Sequence, residues 1–91
     1  MNASRRRQIE KLILAVTKMS KYMDDLAYEI TSIIDEEEQA LDAMPEAFRE
    51  GENAVNSERA LEVLRTAQDH VERIVNDLFE PAEYLREAVA R

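Results

Sequence analysis

Several residue types on which other folds depend are absent or scarce in this sequence. Its 91 residues include no cysteine, one glycine and two prolines. Without cysteine the chain can form neither a disulfide nor a thiolate metal site, which excludes a disulfide-dependent secreted scaffold. An all-β fold needs frequent turns, and those turns use glycine and proline. The composition therefore predicts an all-α protein.

Long hydrophobic runs are also missing. No stretch approaches the roughly 18 apolar residues of a membrane-spanning helix. Basic residues followed by the apolar segment LILAV (residues 12–16) superficially resemble a signal peptide. However, that segment is too short, Lys18 and Lys21 follow it, and no small-residue cleavage site closes it. We therefore expect a cytoplasmic protein with no membrane partner.

Apolar residues recur at alternating intervals of three and four from Ile9 to Met44, which predicts a first helix over about residues 5–44. With Ile9 at heptad position a and Leu12 at d, most e positions are apolar too. Such a wide a/d/e stripe is typical of a helix that faces a bundle. Pro45 is expected to end this helix, because the residue before a proline is driven out of the α region. A loop with one short helical turn should follow over residues 45–56.

A second helix is predicted over about residues 57–90, with Ser57 as its N-cap. Pro81 lacks a backbone N–H, so it should either kink this helix or break it and begin a third one. The apolar register continues beyond Pro81 through Leu85 and Val89, which favours a kink.

Two long helices with a short connection should pack as a long antiparallel hairpin within a single domain, residues 1–91. A hairpin alone cannot cover two wide apolar stripes. We therefore predict a homo-oligomer, most simply a dimer that forms a four-helix bundle. The alternative is that residues 82–91 fold back as a third helix.

Two polar residues interrupt the apolar seams. Glu37 occupies an a position of the first helix, and Gln68 lies in the seam of the second. Placing Met44 opposite Ser57 brings Glu37 close to Arg65. We interpret Glu37, Arg65 and Gln68 as a polar layer that fixes the register of the helices and the oligomeric state.

The net charge of −8 is unevenly distributed along the chain. Residues 1–21 contain six basic residues and one acid, whereas residues 22–91 contain nineteen acids and six basic residues. So acidic a segment favours binding to a basic surface on another protein. The candidate acidic surface consists of Asp24, Asp25, Asp35, Glu36, Glu38 and Asp42.

A candidate basic face lies near the N-terminus and consists of Arg5, Arg6, Arg7, Lys11, Lys18 and Lys21. It would suit a phosphate or an acidic partner. The alternative is neutralisation, within the hairpin, by the acids of residues 77–87. The net acidic chain has no aromatic residues among these basic ones, which argues against direct nucleic-acid binding. Leu14 and Tyr28 lie opposite the seam and are candidate exposed apolar contacts.

No catalytic or metal-binding motif is present. His70 is the only histidine, and Ala67 three residues before it rules out the Glu-x-x-His pair of a di-iron bundle. One glycine cannot form a phosphate-binding loop. The acids of residues 35–38 lack the alternate spacing and the glycine of a calcium loop. We predict a non-enzymatic protein without cofactor or metal.

Two short segments carry a resemblance. Residues 42–46 read DAMPE, and residues 57–62 read SERALE. They resemble small acidic helical-hairpin proteins of phage and prophage genomes, in which an E-E-x-x-x-D-N-x-P-E helix end precedes a capped S-E-R-x-E helix. Here Ala43 replaces the usual asparagine, and the spacer before Ser57 is longer. The resemblance covers about residues 35–62 and implies a mobile-element origin rather than a specific activity.

Charge and resemblance together favour a phage-type accessory or inhibitor protein. Its acidic surface would compete for a basic groove on a host nucleic-acid-handling protein, as an anti-CRISPR protein or a DNA mimic would. The alternative is a structural or assembly module that acts by self-association, with charge that only maintains solubility. A small nucleic-acid-binding protein that uses the N-terminal basic face is a weaker alternative.

Overall fold

All of residues 1–91 are described by the computed structural model, and every regular element is helical. The chain forms helix α1 (Ala3–Asp42), a short 3-10 turn (Glu46–Phe48), helix α2 (Glu52–Asp77) and helix α3 (Phe79–Ala90). The predicted all-α class is confirmed. None of the helices combines the length and the hydropathy that crossing a membrane requires.

Side chains satisfy free backbone groups at both ends of α1. The Asn2 Oδ1 atom accepts a hydrogen bond of 2.9 Å from the Arg5 backbone N–H, as an N-cap does. At the other end, Arg49 donates from Nε to the Met44 carbonyl oxygen (3.3 Å) and from Nη2 to that of Asp42 (3.0 Å). Arg49 therefore satisfies carbonyl groups that a helix C-terminus leaves free.

Helix α2 begins at Glu52, so the prediction that Ser57 caps it is wrong. Ala54 is completely buried, which means that the first turn of α2 already contributes to the core. Burial of this turn outweighs the preference of Ser57 for a cap position. The turn before it is tight, because the Gly51 N–H donates to the Phe48 carbonyl oxygen at 3.1 Å.

The helix predicted across residues 57–90 is divided at Leu78, three residues before Pro81. Leu78 keeps right-handed helical dihedrals (φ −72°, ψ −17°), and its N–H still donates to the Ile74 carbonyl oxygen at 3.0 Å. Pro81 cannot donate to the carbonyl of Asp77, four residues earlier, and lies instead in the first turn of α3, where proline is tolerated. A kink at Pro81 stays a prediction.

The chain consists of two compact units. The central unit is Leu26–Val71, and the terminal unit combines Met1–Asp25 with Glu72–Arg91. In the central unit, Gln68 donates to Thr31 and Arg65 to Glu38. The later residue on α1, Glu38, contacts the earlier residue on α2, Arg65, so these two segments are antiparallel. The long hairpin expected over the whole chain stays a prediction.

The face of α1 that packs differs from the predicted a/d/e stripe. Ile34, at an e position, is only 6% exposed, whereas its neighbour Ile33, at a d position, is 51% exposed. In the terminal unit, Ile13 at e is likewise half-buried, and Leu12 at d is 53% exposed. The core face therefore centres on the e positions, flanked by a, and the d positions lie outside it except for the half-buried Leu26.

The buried core is small. It contains only five apolar residues: Ile34, Ala54, Leu61, Val71 and Ala82. The chain exposes 7274 Å², whereas an average folded monomer of this mass is expected to expose about 5,400 Å². Thirteen large apolar side chains are at least 45% exposed, so one copy of the chain leaves much apolar surface in contact with water.

Candidate interaction surfaces

The central unit is strongly acidic. It contains twelve acidic and three basic residues, a net charge of −9, whereas the terminal unit has a net charge of +1. Glu38 is the only acid of the central unit in an ion pair, and its partner is Arg65. The other eleven carboxylates of the central unit have no cationic side chain within 4.0 Å. Their uncompensated charge produces a strong negative potential around this unit.

The densest part of this charge lies on the last turns of α1. Asp35, Glu36 and Asp42 are exposed, Glu37 is half-buried, and none of the four is paired. The helix rises about 10 Å from Asp35 to Asp42, so these four unpaired carboxylates have a mean axial spacing of about 3.5 Å, with three of them on consecutive residues. Duplex DNA carries one charge per about 1.7 Å and a single strand one per about 3.4 Å. The mean charge density of this segment is therefore close to that of a single strand and about half that of a duplex.

The six acids of the predicted surface are divided between the two units. Asp24 and Asp25 belong to the terminal unit, where an Asp25 oxygen lies 4.0 Å from Nζ of Lys21 in an exposed pair. Glu38 is half-buried and engaged by Arg65. The members that remain exposed and unpaired within one unit are Asp35, Glu36 and Asp42.

Two residues of the predicted polar layer, Arg65 and Gln68, form hydrogen bonds to α1. That the layer fixes the register and the oligomeric state stays a prediction. Arg65 pairs with Glu38, so the prediction of a Glu37–Arg65 pair is wrong. Gln68 donates from Nε2 to the Thr31 hydroxyl oxygen. Because the core face of α1 centres on the e positions, the b positions of Thr31 and Glu38 reach the edge of α2, and Glu37 remains half-buried without a partner.

We expect the Glu38–Arg65 ion pair to contribute little to stability. The two side chains are 41% and 52% exposed, so water and salt screen their attraction. Arg65→Met should lower the free energy of unfolding by less than about 1 kcal/mol. Urea unfolding of the wild type and the variant, at low and high salt, measures this difference. If the free energy of unfolding falls by well over about 1 kcal/mol at both low and high salt, Arg65 is required for the packing of the central unit.

The predicted basic face is exposed throughout and belongs to the terminal unit. Lys21 is its only member in an ion pair. None of the acids of residues 77–87 forms an ion pair with the basic face, as the alternative of neutralisation would require. Glu83 lies 3.6 Å from Arg86, and Glu87 lies 2.7 Å from Arg91. The basic face is therefore free of carboxylate partners apart from Asp25.

An apolar groove in the terminal unit was not identified from the sequence. It has a volume of about 400 Å³ and lies between α1 and the end of α2. The a/d/e width of the apolar stripe was the signal that could have located it, because a stripe wider than one seam leaves a second face. The lining residues are Lys18, Met19, Tyr22, Met23, Ile74 and Leu78.

The two predicted apolar contacts are exposed but lie in different units. Leu14 is 60% exposed in the terminal unit, and Tyr28 is 74% exposed in the central unit. His70 is exposed on α2. No three His, Asp or Glu side chains come together in a way that would hold a metal ion.

Comparisons with protein-family models, curated proteins and solved structures give no match to this chain. Function is therefore inferred from the charges, the exposed side chains and the grooves of the two units.

Proposed function

We propose that this chain is a non-enzymatic interaction protein whose central unit binds a basic, nucleic-acid-binding surface of another protein. The observation that carries the proposal is the net charge of −9 on the central unit, with one acid in an ion pair. A helix that holds unpaired carboxylates at a mean axial spacing close to that of single-strand phosphates offers a basic groove a charge density like the one it already binds. The long-range field also speeds the encounter with such a surface.

The resemblance of the DAMPE and SERALE segments to phage and prophage proteins supports a mobile-element origin for this activity. We propose a phage-type accessory or inhibitor protein, comparable to an anti-CRISPR protein or a DNA mimic, that acts in the host cytoplasm. Its target is a host protein that handles nucleic acid. Nucleic acid itself would be repelled by the central unit, since both are negatively charged.

Self-association is the second candidate function, and the exposed apolar positions of α1 favour it. Leu12 and Met19 are both more than half exposed, and only five apolar residues of the chain are buried. A homodimeric four-helix bundle of long hairpins, each kinked at Pro81, is the assembly we propose. In a pure assembly module the acidic charge would serve solubility alone.

Capture from a nuclease-treated bacterial lysate tests the first proposal. The immobilised chain should retain nucleic-acid-binding proteins at about 0.05 M salt and lose most of them at about 0.3 M. A short DNA duplex added as competitor should release the same proteins, because it occupies the same basic groove. Retention that is unaffected by the duplex, or retention of the chain alone, would exclude nucleic-acid mimicry.

A further inference from the structure

The d positions of α1 form a second apolar stripe beside the core face. Leu12 and Met19 are 53% and 54% exposed, and both lie in the terminal unit. The a and e positions already face the core, as the half-buried Ile13 and Val16 show. A helix with two adjacent apolar stripes is typical of a bundle, in which each helix contacts two neighbours.

The apolar groove continues this stripe toward α2. Met19 and Tyr22 form one wall and Ile74 and Leu78 the other, with Lys18 as the only charged lining residue. A lysine can lay its aliphatic stem along an apolar contact and keep its ammonium group in water. Packing another apolar helix here would therefore bury no carboxylate.

The solvent-exposed area of the chain is consistent with a second copy as the occupant of the groove. The chain exposes 7274 Å², about 1,900 Å² more than expected for an average monomer of its mass. Obligate homodimers bury about 2,000–5,000 Å² in total, which is about 1,000–2,500 Å² for each copy. The excess, to which both units and their polar atoms contribute, falls within the area that one copy would lose to another. A two-fold interface uses the same patch on both copies, so the apolar groove and its adjoining stripe would pack against their own counterparts.

We propose that a second copy of this chain packs on the terminal unit, with Leu12, Met19, Tyr22 and Ile74 at the centre of a two-fold interface. This inference rests on the proposed self-association and specifies which surface carries it. The opposite side of α1, which includes Leu14 and Lys21, faces solvent in the dimer.

Leu12→Glu and Leu14→Glu form a matched pair for the test. Both leucines are exposed on α1 of the terminal unit, at 53% and 60%, but they point to different sides of the helix. Leu12→Glu should raise the dimer dissociation constant on the order of a hundredfold, because both copies lose a buried leucine. Leu14→Glu should leave the constant unchanged. Sedimentation equilibrium measures the mass, and circular dichroism checks that both variants remain helical.

Single cysteines provide a second readout, since the natural chain has none. Met19→Cys should be joined to its partner copy by a bis-maleimide that spans neighbouring helices, whose axes lie about 10 Å apart. Lys21→Cys, on the far side of α1, should remain uncoupled. If both leucine variants stay dimeric and Met19→Cys is not coupled, the second copy binds elsewhere, and self-association survives without this interface. If the wild type itself is monomeric, both proposals fail.

Discussion

Leu61→Ala should lower the melting temperature by about 10 °C or more. Leu61 is the largest side chain on α2 that is almost completely buried, at 3% exposure. Truncating a buried leucine costs about 2–5 kcal/mol, because apolar contact is lost and a cavity remains. In a domain of this size each kcal/mol shifts the melting temperature by about 4–8 °C. The central unit has only three other buried apolar residues, Ile34, Ala54 and Val71, so little packing remains to compensate.

Val63→Ala is the control for this effect. Val63 lies two residues farther along α2 and is 64% exposed, so its truncation should change stability by no more than about 0.5 kcal/mol. Thermal unfolding followed by circular dichroism should be run at one protein concentration, because self-association would make the midpoint depend on concentration. Equal midpoints for the two variants would mean that Leu61 is not part of the core.

Neutralising the three exposed, unpaired acids on the last turns of α1 should weaken capture of the basic partner. The variant combines Asp35→Asn, Glu36→Gln and Asp42→Asn, three exposed residues that form no ion pair. Their charge contributes to both encounter and binding, so we expect affinity for the captured protein to fall by about tenfold or more. The unfolding midpoint should hardly change, because surface substitutions of this kind have small effects.

The matched control removes the same number of charges from the terminal unit. Glu10→Gln, Glu72→Gln and Asp77→Asn change exposed, unpaired residues of that unit. If the location of the charge determines binding, the terminal-unit variant retains its affinity for the captured protein and the central-unit variant loses it. Equal loss of binding in both variants would mean that only the net charge of the chain is recognised.

The helical class and the approximate extent of α1 could be predicted, because they depend on local periodicity and on Pro45. The start of α2 could not be predicted, since burial of Ala54 is a property of tertiary packing that overrides the cap preference of Ser57. Arg49 was also missed. It binds carbonyls at residues 42 and 44, and sequence spacing gives no rule for a cap from such a position.

Which side chains of α1 pair with those of α2 depends on how α1 is rotated about its own axis. The heptad pattern does not determine this rotation. An a/d/e stripe is compatible with a core face centred on either side of position a. The structure centres it on e, which buries Ile34, exposes Ile33 and brings Glu38 rather than Glu37 to Arg65. The charge imbalance was readable from the sequence, but its division between two units was not.

The most direct test of whether a second copy completes this bundle is the solution mass of the wild-type chain. Sedimentation equilibrium over a range of concentrations should give twice the 10.5 kDa of a single chain. The dimer should persist at high salt, because apolar side chains rather than charges form the proposed contact. A mass of 10.5 kDa at every concentration would contradict the bundle and leave the exposed apolar stripe of α1 without a second copy to cover it.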